Sequence, residues 1–546
     1  METFWQDIAR NARDHRDATL ALLDPPLPDI TSLPLDSSTI PKTILSAEEL
    51  QITESDPVDL VSQLASSTLS AVQVTKAFLR RAGLAQKLVN CVTELLPETA
   101  LARAAYLDAY LKDHGKPSGP LHGLPISVKE HIPVQGLTCN AGFIAWHANV
   151  AKQNAHILDI LLAAGAILYV RTTQPQTLMH LETSSNYYGE TVNAYNRNLT
   201  SGGSSGGEGA LVGMRGSSLG IGTDIGGSIR SPAANNGVYG LRPTSYRLPI
   251  EGFISTMLGQ EHIVPVVGPL STSLGGVKLF MKTLIDARPW VREPSLVPMP
   301  WRTESQLADL PGGKGAKKLK IGVLYDDGVV KPHPPVLRAL HTVVEKLRGV
   351  EGIEIVEWEP YKHDYAWTII SSLYFCDGGS EESDAIAASG EPWRPLSKFI
   401  LQEQPAVKQH SIRDMWAWTL KRDEYRAEYA TKWGDVDVIL CPVGPGAAPP
   451  LNCARYWGYT SQWNLLDYPA LVAPVLKVDE TVDGKEEGYV ARNEKDRWNY
   501  ELYDPSVYKG APVSLQMVGR RYQDEMVVEA WGYIQEKIGL PLAEFV

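Results

Sequence analysis

The spacing of apolar residues changes several times along this chain, and each change marks an element. Within residues 1–25, Trp5, Ile8, Ala9 and Ala12 fall at helical spacing, which predicts an amphipathic helix. The stretch 25–41 is rich in Pro, Asp and Ser, has no period, and reads as an extended connector. Helical patterning resumes at 46–52 and at 56–86, and Ser46 with Glu49 forms a capping box. From 121 to 170 the pattern alternates: an apolar run at 124–129 suits a buried strand, 154–164 a helix, and 166–171 the next strand. Further strands are predicted at 319–324, 436–441 and 513–518. Alternation of this kind predicts an α/β fold with a largely parallel sheet.

Composition narrows the class. Of the 546 residues, 44% are hydrophobic and 21% charged, the balance of a soluble globular chain with a large core. The formal net charge of −12 argues against a nucleic-acid partner. The densest basic run, 314–320, reads as a solvated turn before a strand. The five cysteines (Cys91, Cys139, Cys376, Cys441, Cys453) are widely spaced, with no C-x-x-C pair. That predicts reduced thiols, no zinc knuckle and a cytoplasmic setting. The N-terminus mixes charges of both signs and lacks an apolar core for a secretory signal. The longest apolar stretch, 157–170, contains Asp159 and Gly165 and is too short and broken to span a bilayer.

Residues 201–230, SGGSSGGEGALVGMRGSSLGIGTDIGGSIR, hold the candidate chemistry. A flexible linker would lack the apolar positions Ala210, Leu211, Val212, Leu219 and Ile221. A phosphate cradle needs G-x-x-x-x-G-K-[ST] or G-x-G-x-x-G, and neither spacing is met. Gly202-Gly203-Ser204-Ser205-Gly206 matches the nucleophile elbow G-x-S-x-G, which also requires a downstream acid and histidine that no motif marks. The run from Thr223 to Ser228 follows a predicted strand and precedes a helix start. Its two glycines let backbone N–H groups turn inward beside Ser228, which makes an oxyanion site.

These segments, GGSSGGEGALVG, GIGTDIGGSIR and GVYGLRPT with the upstream GPLHGLPISVKE, resemble the amidase signature family. PQTLM at 175–179, SGEPW at 389–393 and GAPVSLQMVGRR at 510–521 resemble its fungal acetamidase-like members over nearly the whole chain. The resemblance implies one α/β domain over 61–546, a twisted mixed sheet flanked by helices, behind an N-terminal arm and connector over 1–60. It implies hydrolysis of a carboxylic amide to acid plus ammonia or amine, through an acyl-enzyme on Ser228. Lys129 would be the base, Ser204 the bridge on a cis Gly203–Ser204 bond, and the N–H groups of Ile225, Gly226, Gly227 and Ser228 the oxyanion donors. Ser205, Asp224 and Arg230 would support the loop, and neither metal nor cofactor is implied. Met179, His180, Tyr187 and Trp463 are the expected substrate contacts, with Tyr188 and Phe375 beside them. Glu130 stands where the family usually has Asp. His131 has no triad role in the family.

Taken alone, Lys129 would be a strand-end lysine reaching solvent, Ser204 a turn residue and Ser228 a helix cap. A lysine with the reference pKa of about 10.4 cannot be a base at neutral pH. Burial behind the apolar LPISV run would lower it. The expected partner is a small-molecule amide, with no nucleic acid and no membrane span. The Trp5–Ile8 stripe packs on the body or on a second subunit, so a homodimer is allowed. Two alternatives are a glutaminase subunit of the amidotransferase type, which needs partner chains, and a non-catalytic binding protein on the same fold.

Overall fold

The computed structural model describes residues 4–302 and 318–545. Residues 314–317 of the basic run lie outside them. The first half of the sheet comes from β1 (Val92–Leu95), β2 (Pro125–Lys129) and β3 (Ile167–Thr172). A two-stranded hairpin, β4 (Ser184–Ser185) with β5 (Gly189–Glu190), stands apart. Then follow β6 (Leu219–Asp224), β7 (Tyr239–Arg242), β8 (Val266–Ser271), β9 (Leu319–Val323) and β10 (Ile353–Glu357). The last strands are β11 (Val438–Pro442), β12 (Ala470–Lys477) and β13 (Pro512–Gly519). Apart from the hairpin these form one 11-stranded sheet in the order β1-β3-β2-β6-β8-β7-β12-β13-β11-β9-β10.

The sheet is mixed rather than largely parallel. Four of its ten strand pairings are parallel and six antiparallel. The 121–170 pattern is a true strand–helix–strand unit, β2, α7 (His156–Ala163) and β3, with β2 and β3 parallel. The middle strands pair antiparallel with partners from distant segments, which local alternation does not encode. β2, β3, β6 and β8 are buried throughout, so they read as continuous apolar runs.

Helix α1 (Phe4–Ala21) matches the predicted amphipathic arm. Ile8, Ala9 and Ala12 pack against Ile144 and Tyr187, and Arg13 Nη1 donates to Tyr187 O at 2.8 Å. The connector leads through α2 (Pro41–Ile44) to α3 (Ala47–Glu54), whose Ser46–Glu49 capping box forms as predicted. Leu23, Leu45 and Ile52 join the main core, so the arm is packed onto the body. The helical run 56–86 divides into α4 (Pro57–Ala65) and α5 (Ala71–Val89). Ser67 at φ 58° ends the first, and Ser70 caps the second by accepting from Gln73 N. α5 and α6 (Pro97–His114) pack together, and α7 follows.

The site follows from two neighbours. β2 and β6 run parallel side by side, Ser127 opposite Gly220 and Val128 opposite Ile221. Their C-terminal ends therefore bring Lys129 and Thr223 together. α8 (Gly206–Gly213) starts just after Ser204–Ser205, and α9 (Arg230–Asn236) just after Ser228. The crevice beyond parallel strand ends is where α/β sheets bind ligands.

Candidate active site

Lys129 is fully buried. Its Nζ lies 2.7 Å from Ser204 Oγ and 3.1 Å from Thr223 Oγ1, both hydroxyls. Burial pushes the amine down to about 7, against the opposing charges of Asp224 and Glu208. Glu208, on α8, is itself buried and pushed up to about 7 by desolvation; it accepts from Ser127 Oγ at 2.5 Å and Thr172 Oγ1 at 2.7 Å. The Gly203–Ser204 peptide is cis. A Cβ at Gly203 would meet the Glu182 backbone at 2.3–2.6 Å, so only glycine fits there. Ser205 ties the parts together: its N–H donates to Ser228 O at 3.1 Å and its hydroxyl to Thr223 O at 3.2 Å.

Side chains from far along the chain orient the loop at 225–228. Tyr374 Oη donates to Ile225 O, and Thr460 Oγ1 to Gly226 O, both at 2.7 Å. Each pinned carbonyl turns the N–H on the other side of its peptide the opposite way. Gly227 sits at φ +128°, and a Cβ there would meet Thr460 Oγ1 at 2.5 Å. Of the four expected oxyanion donors, Gly227 N–H is already given to Asp224 Oδ1 at 2.9 Å.

Asp224 also accepts from Ile229 N at 3.1 Å and from Asn464, and pairs with Arg230 at 3.0 Å, both side chains fully buried. Desolvation alone would raise this carboxyl, but Arg230 and Asn464 more than offset it and hold it well below the usual carboxylate range. Asp224→Ala leaves a buried guanidinium uncompensated. The expected loss is about 3–5 kcal/mol, read as a lowered urea midpoint; an unchanged midpoint would refute the pairing role. Glu130 supports structure, as its position implies: its carboxylate accepts from Asn140 N at 2.7 Å and Ala141 N at 3.2 Å. Cys139 beside it is a buried thiol donating to Glu130 O, and all five cysteines are free.

Ser204, Thr223, Ile225 and Ser228 line one cavity of about 450 Å3, within the range of small-molecule sites. Its walls are mostly apolar: Leu178, Met179, Ile250, Phe253, Met257, Leu258, Val264 and Val266. Of the expected substrate contacts only Met179 lies in this wall. His180 is buried beside it but outside the lining. Tyr187 packs under α1, and Tyr188 stacks on it. Trp463 sits edge-on to His363 and Tyr429 in an aromatic core that also holds Phe375. Trp463 and Phe375 thus fill the core, while Tyr187 and Tyr188 line a separate cavity of about 410 Å3 beneath α1. His131, Tyr374, Thr460 and the loop 250–266 lie outside the motifs read from the sequence, and Thr223, though inside one, was given no role of its own. The grouping of metal-ligand type among the described residues, His156, Glu251 and Glu293, lies outside the cavity lining. Its Glu293 carboxylate is already engaged by the Ile250 and Glu251 amides and by His156. No helix among the described residues is long and apolar enough to cross a membrane.

A family model described as Amidase matches residues 73–528. An acetamidase of Emericella nidulans is 42% identical over 559 residues, covering 100% of both chains. An acetamidase of Aspergillus oryzae is 40% identical over 551 residues, covering 98% of this chain and 99% of that one. A solved structure of a fatty acid amide hydrolase has a TM-score of 0.93 at 36% identity, covering 99% of this chain and 96% of the other.

Proposed function

The chain belongs to the amidase family of amide hydrolases, and from that premise we propose that it cleaves the C–N bond of carboxylic amides through an acyl-enzyme on Ser228. Ser228 Oγ attacks the amide carbonyl, and its proton moves through Ser204 to neutral Lys129. The tetrahedral oxyanion sits on the amides of Ile225, Gly226 and Ser228. The proton returns by the same path to the leaving nitrogen, the C–N bond breaks, and water then releases the acid from the ester. One observation carries this reading: a fully buried lysine whose two partners are hydroxyls, one of them Ser204 at 2.7 Å. An amine so placed is poised to be neutral at working pH, which a surface lysine is not.

The substrate class follows from the walls. A cavity of about 450 Å3 lined by Leu178, Met179, Phe253, Met257 and Val264 is far larger than a two-carbon amide fills. It suits an apolar group on one side of the scissile bond, in line with the fatty amide substrate that the structural relative's name gives. Each added buried methylene contributes about 0.8 kcal/mol, so kcat/KM should rise roughly fourfold per carbon. Two series test this: primary amides from acetamide to decanamide, and N-alkyl acetamides. A rise in one series identifies the side that enters the cavity. A flat response in both would refute the apolar class, and no product from any amide would refute hydrolysis.

A further inference from the structure

His131 lies two residues beyond Lys129, buried against the edge of Phe253, with its backbone N–H donating to Gln174 Oε1 at 3.1 Å. Its Nδ1 is 2.9 Å from Ile254 O and its Nε2 is 3.0 Å from Thr223 Oγ1. Ile254 O can only accept, so Nδ1 must carry a proton. Desolvation, reinforced by the Lys129 charge, pushes the imidazole down to about 3, so it stays neutral. A neutral ring protonated at Nδ1 has a bare Nε2, and a bare nitrogen accepts. Thr223 must therefore spend its single hydroxyl proton on His131.

The consequence falls on Lys129. Thr223 Oγ1, with its proton committed, can only accept from Nζ at 3.1 Å. A neutral amine has two N–H bonds and one lone pair. With one N–H directed at Thr223, the lone pair is free for Ser204 at 2.7 Å. We propose that His131 is a positioning residue: through Thr223 it fixes the direction of the hydrogen bonds around Lys129 and reserves the amine's lone pair for Ser204. This rests on the reading of Lys129 as the base. The hydrogen bonds then point one way, from Ser204 through Lys129, Thr223 and His131, and end on a carbonyl that cannot reverse them. Without the bare nitrogen, the Thr223 hydroxyl turns to the Lys129 lone pair and competes with Ser204.

A double-mutant cycle tests this, because the harm in losing His131 should come from the Thr223 proton. His131→Phe should lower kcat by about 10–100-fold, part of the ~10²–10⁴ that a positioned base supplies, with KM within about threefold of wild type. Thr223→Val should cost less. The double variant should then be faster than His131→Phe alone, because the competing hydroxyl is gone. A side chain that only fills space would give losses that add, and a double variant as slow as or slower than His131→Phe overturns the proposal. His131→Leu carries the same comparison if the phenylalanine variant does not fold. Lys129→Ala separates the two levels of argument. If it retains the rate, the base assignment fails; if it is inactive and the double variant does not recover, only the His131 role fails.

Discussion

Ser228→Ala folds like the wild type and loses amide hydrolysis by roughly 10⁶-fold in kcat, the size seen when a serine nucleophile is removed. Folding should survive because the contact this residue contributes to the loop, Ser205 N–H to Ser228 O at 3.1 Å, is made by its backbone. The Asp224–Arg230 pair and the pinned carbonyls of Ile225 and Gly226 do not involve its hydroxyl either. A fluorophosphonate probe should label the wild type at Ser228 and leave the variant unlabelled, with equal melting temperatures for the two. Ser204→Ala should behave differently. It removes the group between Lys129 and the nucleophile but leaves Ser228 in place, so slow labelling persists. Labelling of Ser204 in the Ser228→Ala variant would favour the G-x-S-x-G reading of residues 202–206 and overturn the Ser228 assignment.

The strand carrying Lys129 and the glycine turn before Ser228 were legible because each is local. β2 is an apolar run ending at the lysine, and the loop at 225–228 lies between a strand and a helix start within a dozen residues. Sheet direction was not legible. β6, β7, β8, β12 and β13 are drawn together from positions 219 to 519, and buried strands lack the alternation that reports their neighbours. The substrate wall was hidden for the same reason. Phe253, Met257 and Val264 lie on a loop with no period, while of Trp463 and Tyr187, the better candidates by size, the first fills the core and the second packs under α1. Nor does anything near Ile225 announce that Tyr374 and Thr460, about 150 and 230 residues away, set the direction of its peptides. Which way these amides face depends on such contacts, and the Gly227 N–H, expected to face an oxyanion, donates to Asp224 in this structure.

Activity should rise with pH through about 7 and level off above it. In the proposed mechanism the base is the neutral amine, and a lysine held near 7 by burial is mostly protonated below that value and mostly neutral above it. The acid limb therefore loses rate as pH falls. His131 cannot supply this limb, because desolvation keeps it neutral down to about 3. Asp224 is ionised throughout, so its charge on Lys129 is constant across the limb. Glu208 is the group to separate, since desolvation brings it into the same range. Its negative charge favours the protonated lysine, so Glu208→Gln should shift the limb to lower pH while keeping a plateau. Lys129→Ala removes the base itself, and should abolish the limb and lower kcat/KM by about 10²–10⁴. Lys129→Arg should be nearly as damaging, because a guanidinium keeps its proton at any working pH and offers no lone pair to Ser204. The deciding measurement is kcat/KM against pH for the wild type and these three variants, on enzyme shown to be folded at each pH. A Lys129→Arg enzyme with the wild-type rate and the same limb would show that the base lies elsewhere.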